Sequence, residues 1–185
     1  MYKFTLMKRM FLFVFLSVGL GQMAWGQTTP VTLKLSDFAI WGGSAAPTSY
    51  KSSQGVFLKE KATITGNIGT NHLIDAKERF TLTGNIFSGN AVSLKEFAKI
   101  TGNITANKAA SNFSGTVISA DKKSDLKGNL TAKGKIVVRT GSGSDISYVR
   151  GQVAVPAPTS TNYSGPTPTG GTTNSFTLPI LPVMP

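Results

Sequence analysis

Residues 55–72 (GVFLKEKATITGNIGTNH), 73–90 (LIDAKERFTLTGNIFSGN) and 91–108 (AVSLKEFAKITGNITANK) align column by column. Thr-Gly-Asn-Ile recurs at 65–68, 83–86 and 101–104, a period of 18 residues, and Lys-Glu recurs at 59–60, 77–78 and 95–96. A fixed period marks a stacked repeat, because one unit of this size cannot bury its own apolar side and must lean on its neighbours. Within each unit apolar or small residues fall in pairs two apart, and the pairs recur every six: Val56/Leu58, Ala62/Ile64 and Ile68/Thr70 in the first. Spacing of two is the strand signature, since alternate side chains share a face.

The alternation cannot run on through Glu60, Glu78 and Glu96 without aiming unpaired carboxylates at the apolar side, so the chain must turn there. Three turns per unit predict an all-β, single-stranded triangular β-solenoid (β-helix) of about five 18-residue rungs, with an N-terminal cap and a Pro/Thr/Gly-rich C-terminal tail. The repeat-defining residues are Gly66, Asn67 and Ile68, then Gly84, Asn85 and Ile86, then Gly102, Asn103 and Ile104, and finally Gly128, Asn129 and Leu130. The glycines are expected at a corner needing left-handed backbone or close approach. The asparagines are expected to stack as a ladder, as identical polar residues do in cross-β arrays.

Four segments follow: a signal peptide at 1–26, an N-terminal cap and loop at 27–54, the solenoid at 55–153, and a linker or tail at 154–185. The repeat continues beyond residue 108 after eight extra residues, 109–116, and a fifth, weaker unit runs from Lys135 to about Val153. Residues 31–43 (VTLKLSDFAIWGG) are the candidate cap, because open coil ends are aggregation edges. The tail (PAPTSTNYSGPTPTGG) has the composition of an extended spacer, and its apolar end, Leu178 to Pro185, reads as the start of a further segment in preference to a strand laid back on the coil.

Lys3, Lys8 and Arg9, then the apolar run Met10–Leu20, then Ala24-Trp25-Gly26, have the order of a secretory signal, so the chain is expected to be secreted or displayed at the cell surface, with no membrane span after cleavage. Without those three cations, 16 Lys+Arg face 8 acidic residues. An exported basic chain suits cell-surface components or anionic glycans as partners rather than nucleic acid, which this composition does not single out. Cysteine is absent, so no disulfide or thiolate metal site is available.

No pattern in the sequence assigns a catalytic, cofactor-binding or metal-binding residue. His72, the single histidine, shares a corner column with Asn90 and Lys108 and reads as a solvated turn residue. The outward pairs Thr63/Thr65 and Thr81/Thr83 have the Thr-x-Thr form of some ice-binding faces, but Lys99, Asp125 and Lys127 interrupt the ranks, so they read as ordinary strand residues. The Lys59/Lys77/Lys95 and Glu60/Glu78/Glu96 columns read as a self-compensating corner.

The Thr-Gly-Asn-Ile columns, Asn-Tyr-Ser-Gly-Pro at 162–166 and Leu-Pro-Ile-Leu-Pro at 178–182 resemble the N-terminal β-helical regions of secreted surface proteins from gliding, type IX-secreting bacteria. The repeat also resembles the bactofilins, a polymer-forming cytoskeletal family. The first resemblance implies a non-catalytic structural or adhesive module of the cell surface, a rigid spacer or binding surface; the second implies self-association into filaments. A carbohydrate-active or ice-binding solenoid is the more remote alternative. No cofactor is expected in any of these readings.

Overall fold

The computed structural model describes residues 30–43, 49 and 51–182; the signal segment 1–26, most of the loop after the cap, and residues 183–185 lie outside them. A cap strand, β1 (Ile40–Gly42), precedes five three-strand rungs. The first holds β2 (Gly55–Leu58), β3 (Thr63–Thr65) and β4 (Ile68–Thr70); the second β5 (Leu73–Ala76), β6 (Thr81–Thr83) and β7 (Ile86–Ser88). The third holds β8 (Ala91–Leu94), β9 (Lys99–Thr101) and β10 (Ile104–Ala106); the fourth β11 (Ile118–Ala120), β12 (Asp125–Lys127) and β13 (Leu130–Ala132). The fifth holds β14 (Ile136–Val138), β15 (Tyr148–Val149) and β16 (Val153–Ala154), and a partial sixth adds β17 (Tyr163–Ser164) and β18 (Thr172–Thr173).

Each strand pairs in parallel with its counterpart one rung on, giving sheets of seven strands (β1-β4-β7-β10-β13-β16-β18), six (β17-β14-β11-β8-β5-β2) and five (β15-β12-β9-β6-β3). The chain is thus a parallel β-solenoid, and its five rungs match the count read from the repeat.

Inward columns stack like on like. Ile68, Ile86, Ile104, Leu130 and Val153 form one, each at most 1% exposed. Removing such a side chain from water contributes about 1.5–3 kcal/mol. Phe80, the largest fully buried side chain, sits in the column where its neighbours are only Ala62 and Ala98, so one ring takes space the adjoining rungs leave. One rung further, Ser124 holds this position, its hydroxyl donating to the Asp121 carbonyl at 2.6 Å.

The tail differs from the extended spacer that its composition suggested. Tyr163 stands in register on Ile136, and Thr172 on Val153, so residues 154–173 build a partial rung. The chain then returns along the coil: Leu33 N–H donates to the Ile180 carbonyl at 3.0 Å and Ile180 N–H to the Val31 carbonyl at 2.9 Å. Asn71 Nδ2, just past β4, donates to the Pro182 carbonyl at 3.0 Å. Seven residues from Thr173 to Ile180 extend about 23–25 Å at most, and the five spacings from β18 back to β4 come to about 24 Å. The strap is therefore near full extension. Pro179 and Pro182 favour that conformation, and Phe176, Leu178 and Leu181 are partly buried along it. A proline-spaced apolar segment suits a strap as well as a linker, because both need extended backbone without a ladder of N–H donors.

Candidate functional site

Each rung turns at three corners built by different means. At the first, Gly66, Gly84, Gly102 and Gly128 take φ of +113°, +147°, +143° and +158°. A Cβ on Gly84, Gly102 or Gly128 would overlap the carbonyl of the glycine one rung earlier, so the stacking requires glycine. The following asparagines form a ladder. Asn85 N–H donates to Asn67 Oδ1 at 3.0 Å, Asn103 N–H to Asn85 Oδ1 at 2.8 Å, and Asn129 N–H to Asn103 Oδ1 at 2.9 Å. Gln152 N–H extends it to Asn129 Oδ1 at 2.9 Å, and Asn67 Nδ2 ties it to the cap through the Asp37 carbonyl at 2.8 Å. The side chains thus mainly satisfy backbone N–H groups of the next rung; one amide–amide bond, Asn85 Nδ2 to Asn67 Oδ1 at 3.0 Å, accompanies them. Their role is structural.

At the second corner the residue after each glutamate, Lys61, Arg79 or Phe97, and their counterpart Lys123, is left-handed without being glycine, with φ between 57° and 63°. Nothing in residue type announced this. The Phe97 ring lies between Arg79, 5.3 Å from its centroid, and Lys123, at 4.7 Å. Charge compensation here is cross-rung. Glu60 pairs with Arg79 at 3.4 Å and Glu96 with Lys122 at 3.9 Å, while Lys77 pairs with Asp75 at 2.8 Å and Lys95 with Asp121 at 4.0 Å. The lysine and glutamate columns are paired with other residues, not with each other. Beside them Asp145 bonds Lys122 and Lys123, both at 2.8 Å, and these two ammonium groups lower its carboxyl pKa to about 2.

The third corner is a buried polar turn. Asn90 is fully buried, and its Oδ1 accepts from Ala110 N–H at 2.7 Å. Ser88 Oγ donates to the His72 carbonyl at 2.6 Å. His72 is 5% exposed, which corrects its reading as a solvated turn residue; burial lowers its pKa. Thr70 Oγ1 receives the His72 N–H at 3.0 Å, and Gly43 of the cap passes against the imidazole. The cap, distant in sequence, covers a position that the repeat alone would leave open.

The outer faces are unequal. That of the five-stranded sheet is open and flat: Thr65, Thr83, Thr101, Lys127 and Arg150 are exposed along it, and Arg150 binds Asp125 at 2.7 Å. The seven-stranded sheet carries an aromatic cluster in which Phe38 packs edge-on against Trp41 at 4.7 Å and Phe87 at 5.7 Å, over Gly69. On the six-stranded sheet the insertion 109–116 folds over the outer surface and leaves a groove of about 340 Å³ with Phe113 as its wall, Ser93 and Ser119 as its floor, and Asp75, Lys77 and Lys95 along its rim. Among the described residues no group of three or more His, Asp or Glu is placed to hold a metal, and no helix is long and apolar enough to cross a membrane.

No family model, curated protein or solved structure matches this chain.

Proposed function

We propose that this chain is a secreted, non-catalytic structural or adhesive module of a bacterial cell surface, a rigid prism that presents fixed outer faces. The observation that carries this reading is mechanical. An apolar core runs without a break through five rungs, and the strap ties the last rung to the cap. Continuous sheets and a taut closing segment resist bending, which suits a spacer or a binding surface. The signal-like start and the excess of cations suit display against anionic surface polymers. Fractionation of producing cells tests it: the mature chain, residues 27–185, is expected in the surface or external fraction and open to protease on intact cells. Retention inside with residues 1–26 uncleaved, or a turnover activity abolished by changing one side chain, would overturn it.

A second reading, self-assembly through the coil ends, has one observation in its favour: β2 and β3 are the terminal strands of their sheets among the described residues. Sedimentation of residues 27–185 over a concentration series, with imaging of the pellet, decides it. Filaments that grow with concentration support assembly, and a persistent monomer removes it.

A further inference from the structure

The eight-residue insertion at 109–116 breaks an otherwise regular stack, and the chain anchors it firmly. Ala110 is buried, and its N–H is held by Oδ1 of the fully buried Asn90. Phe113 packs on the core cluster and forms one wall of the groove, while the outward positions beneath it on β8 and β11 are serines. Elsewhere in the same outward column stand Phe57, Asp75 and Val137, so the floor is low only where the insertion overhangs it. Ser93 Oγ makes no hydrogen bond among the described residues, and Ser119 Oγ reaches the Val92 carbonyl only at 3.5 Å, a long and weak contact. The rim is charged but unevenly engaged: Lys77 is held by Asp75 at 2.8 Å, whereas Lys95, 45% exposed, has Asp121 no closer than 4.0 Å. One aromatic wall, two hydroxyls, a carboxylate and a loosely paired ammonium thus converge on a space of ligand size.

We propose that this groove binds an acidic saccharide bearing a carboxylate, as in a uronate unit. The apolar face of the pyranose lies against Phe113. Ring hydroxyls bond to Ser93 and Ser119, with Asp75 accepting from a further hydroxyl, and the sugar carboxylate takes Lys95. Because Asn90 and the core fix both wall and floor before binding, little ordering opposes it. This rests on the surface-module reading and names the chemistry of its partner.

The test is an NMR titration of the mature chain, residues 27–185, with oligogalacturonate, its methyl ester and a neutral malto-oligosaccharide. Saturable shifts are expected at Ser93, Phe113, Thr116 and Ser119, with the ester and the Lys95→Gln variant each about tenfold weaker, the factor supplied by one charge-assisted contact. Ser93→Val, which fills the floor with a strand-favouring side chain, abolishes binding at an unchanged melting temperature, and Lys99→Gln on the open sheet leaves affinity unchanged. Equal affinity for acid, ester and neutral sugars, shifts spread over every lysine column, or no saturable binding overturns the proposal. Protease accessibility on intact cells is scored in parallel. A surface-exposed protein without groove binding removes the saccharide site alone, while a protein retained inside the cell removes the surface reading on which the site rests.

Discussion

Gly102→Ala places a methyl group where the middle of the glycine column has no room. Its φ of +143° lies in a region that side chains other than glycine's rarely adopt, which costs about 1–3 kcal/mol. The added Cβ also overlaps the Gly84 carbonyl oxygen and lies 2.6 Å from its carbon. Neither backbone moves away freely, because Gly102 N–H donates to the Lys127 carbonyl and Gly84 N–H to the Thr101 carbonyl, both at 2.9 Å. Relieving the overlap stretches at least one such bond, for about 1 kcal/mol more each. The sum is roughly 3–5 kcal/mol, a large part of the about 5–15 kcal/mol typical of a folded domain. With a urea slope near 2 kcal/mol/M, the midpoint falls by roughly 2 M. The mature chain has a single tryptophan, Trp41 in the cap, so fluorescence follows the cap while circular dichroism follows the coil. Gly115→Ala is the internal control, since its nearest neighbour is Phe113 Cζ at an ordinary 3.5 Å, and it should stay within about 0.5 kcal/mol of the parent. A loss below about 1 kcal/mol for Gly102→Ala would refute the close-stacked corner.

Asn85→Ala leaves Asn103 N–H without its acceptor and should cost about 1–3 kcal/mol, with hydrogen exchange at Asn103 accelerating most. Asp145 has a pKa lowered from 3.8 to about 2 by Lys122 and Lys123, so its stabilising effect is complete above about pH 4 and disappears as pH falls toward 2. Melting of Asp145→Asn against pH should show a shallower acid limb than the parent, and an identical limb would refute the pairing. Tyr163 moves the other way: burial raises its pKa from 10.0 to about 12, so the stability it lends is full below pH 10 and is lost as pH climbs toward 12. Tyr163→Phe should flatten that alkaline loss while forfeiting the 2.6 Å bond from its hydroxyl to the Pro166 carbonyl, both measurable by urea titration across the alkaline range.

Most of the coil was legible because its physics is local and repeated. Side-chain alternation fixed which residues of Val56/Leu58 or Val92/Leu94 share a face, and the impossibility of burying Glu60 or Glu78 located the turns. The left-handed corner at Lys61, Arg79 and Phe97 was not legible, since these residue types carry no preference for that backbone and only ring closure demands it. The burial of His72 was missed for a related reason. Its column mates are polar, and what covers it is Gly43 of the cap, thirty residues earlier and outside the repeat.

Composition at the C-terminus conveyed extension but not destination. Pro179 and Pro182 make an extended chain whether it leads outward or lies back along the coil, and only the N–H and carbonyl groups of Val31, Leu33 and Ile180, meeting across the length of the molecule, decide between the two. The groove has the same origin. Phe113 and Lys95 stand 18 residues apart, and Asp75 belongs to another rung, so no linear pattern joins them until the sheets stack. The sequence by itself therefore determined the repeating unit, whose contacts recur every 18 residues and leave a period to read. The tertiary structure alone decided the strap, the buried histidine and the groove, because each depends on a contact made once.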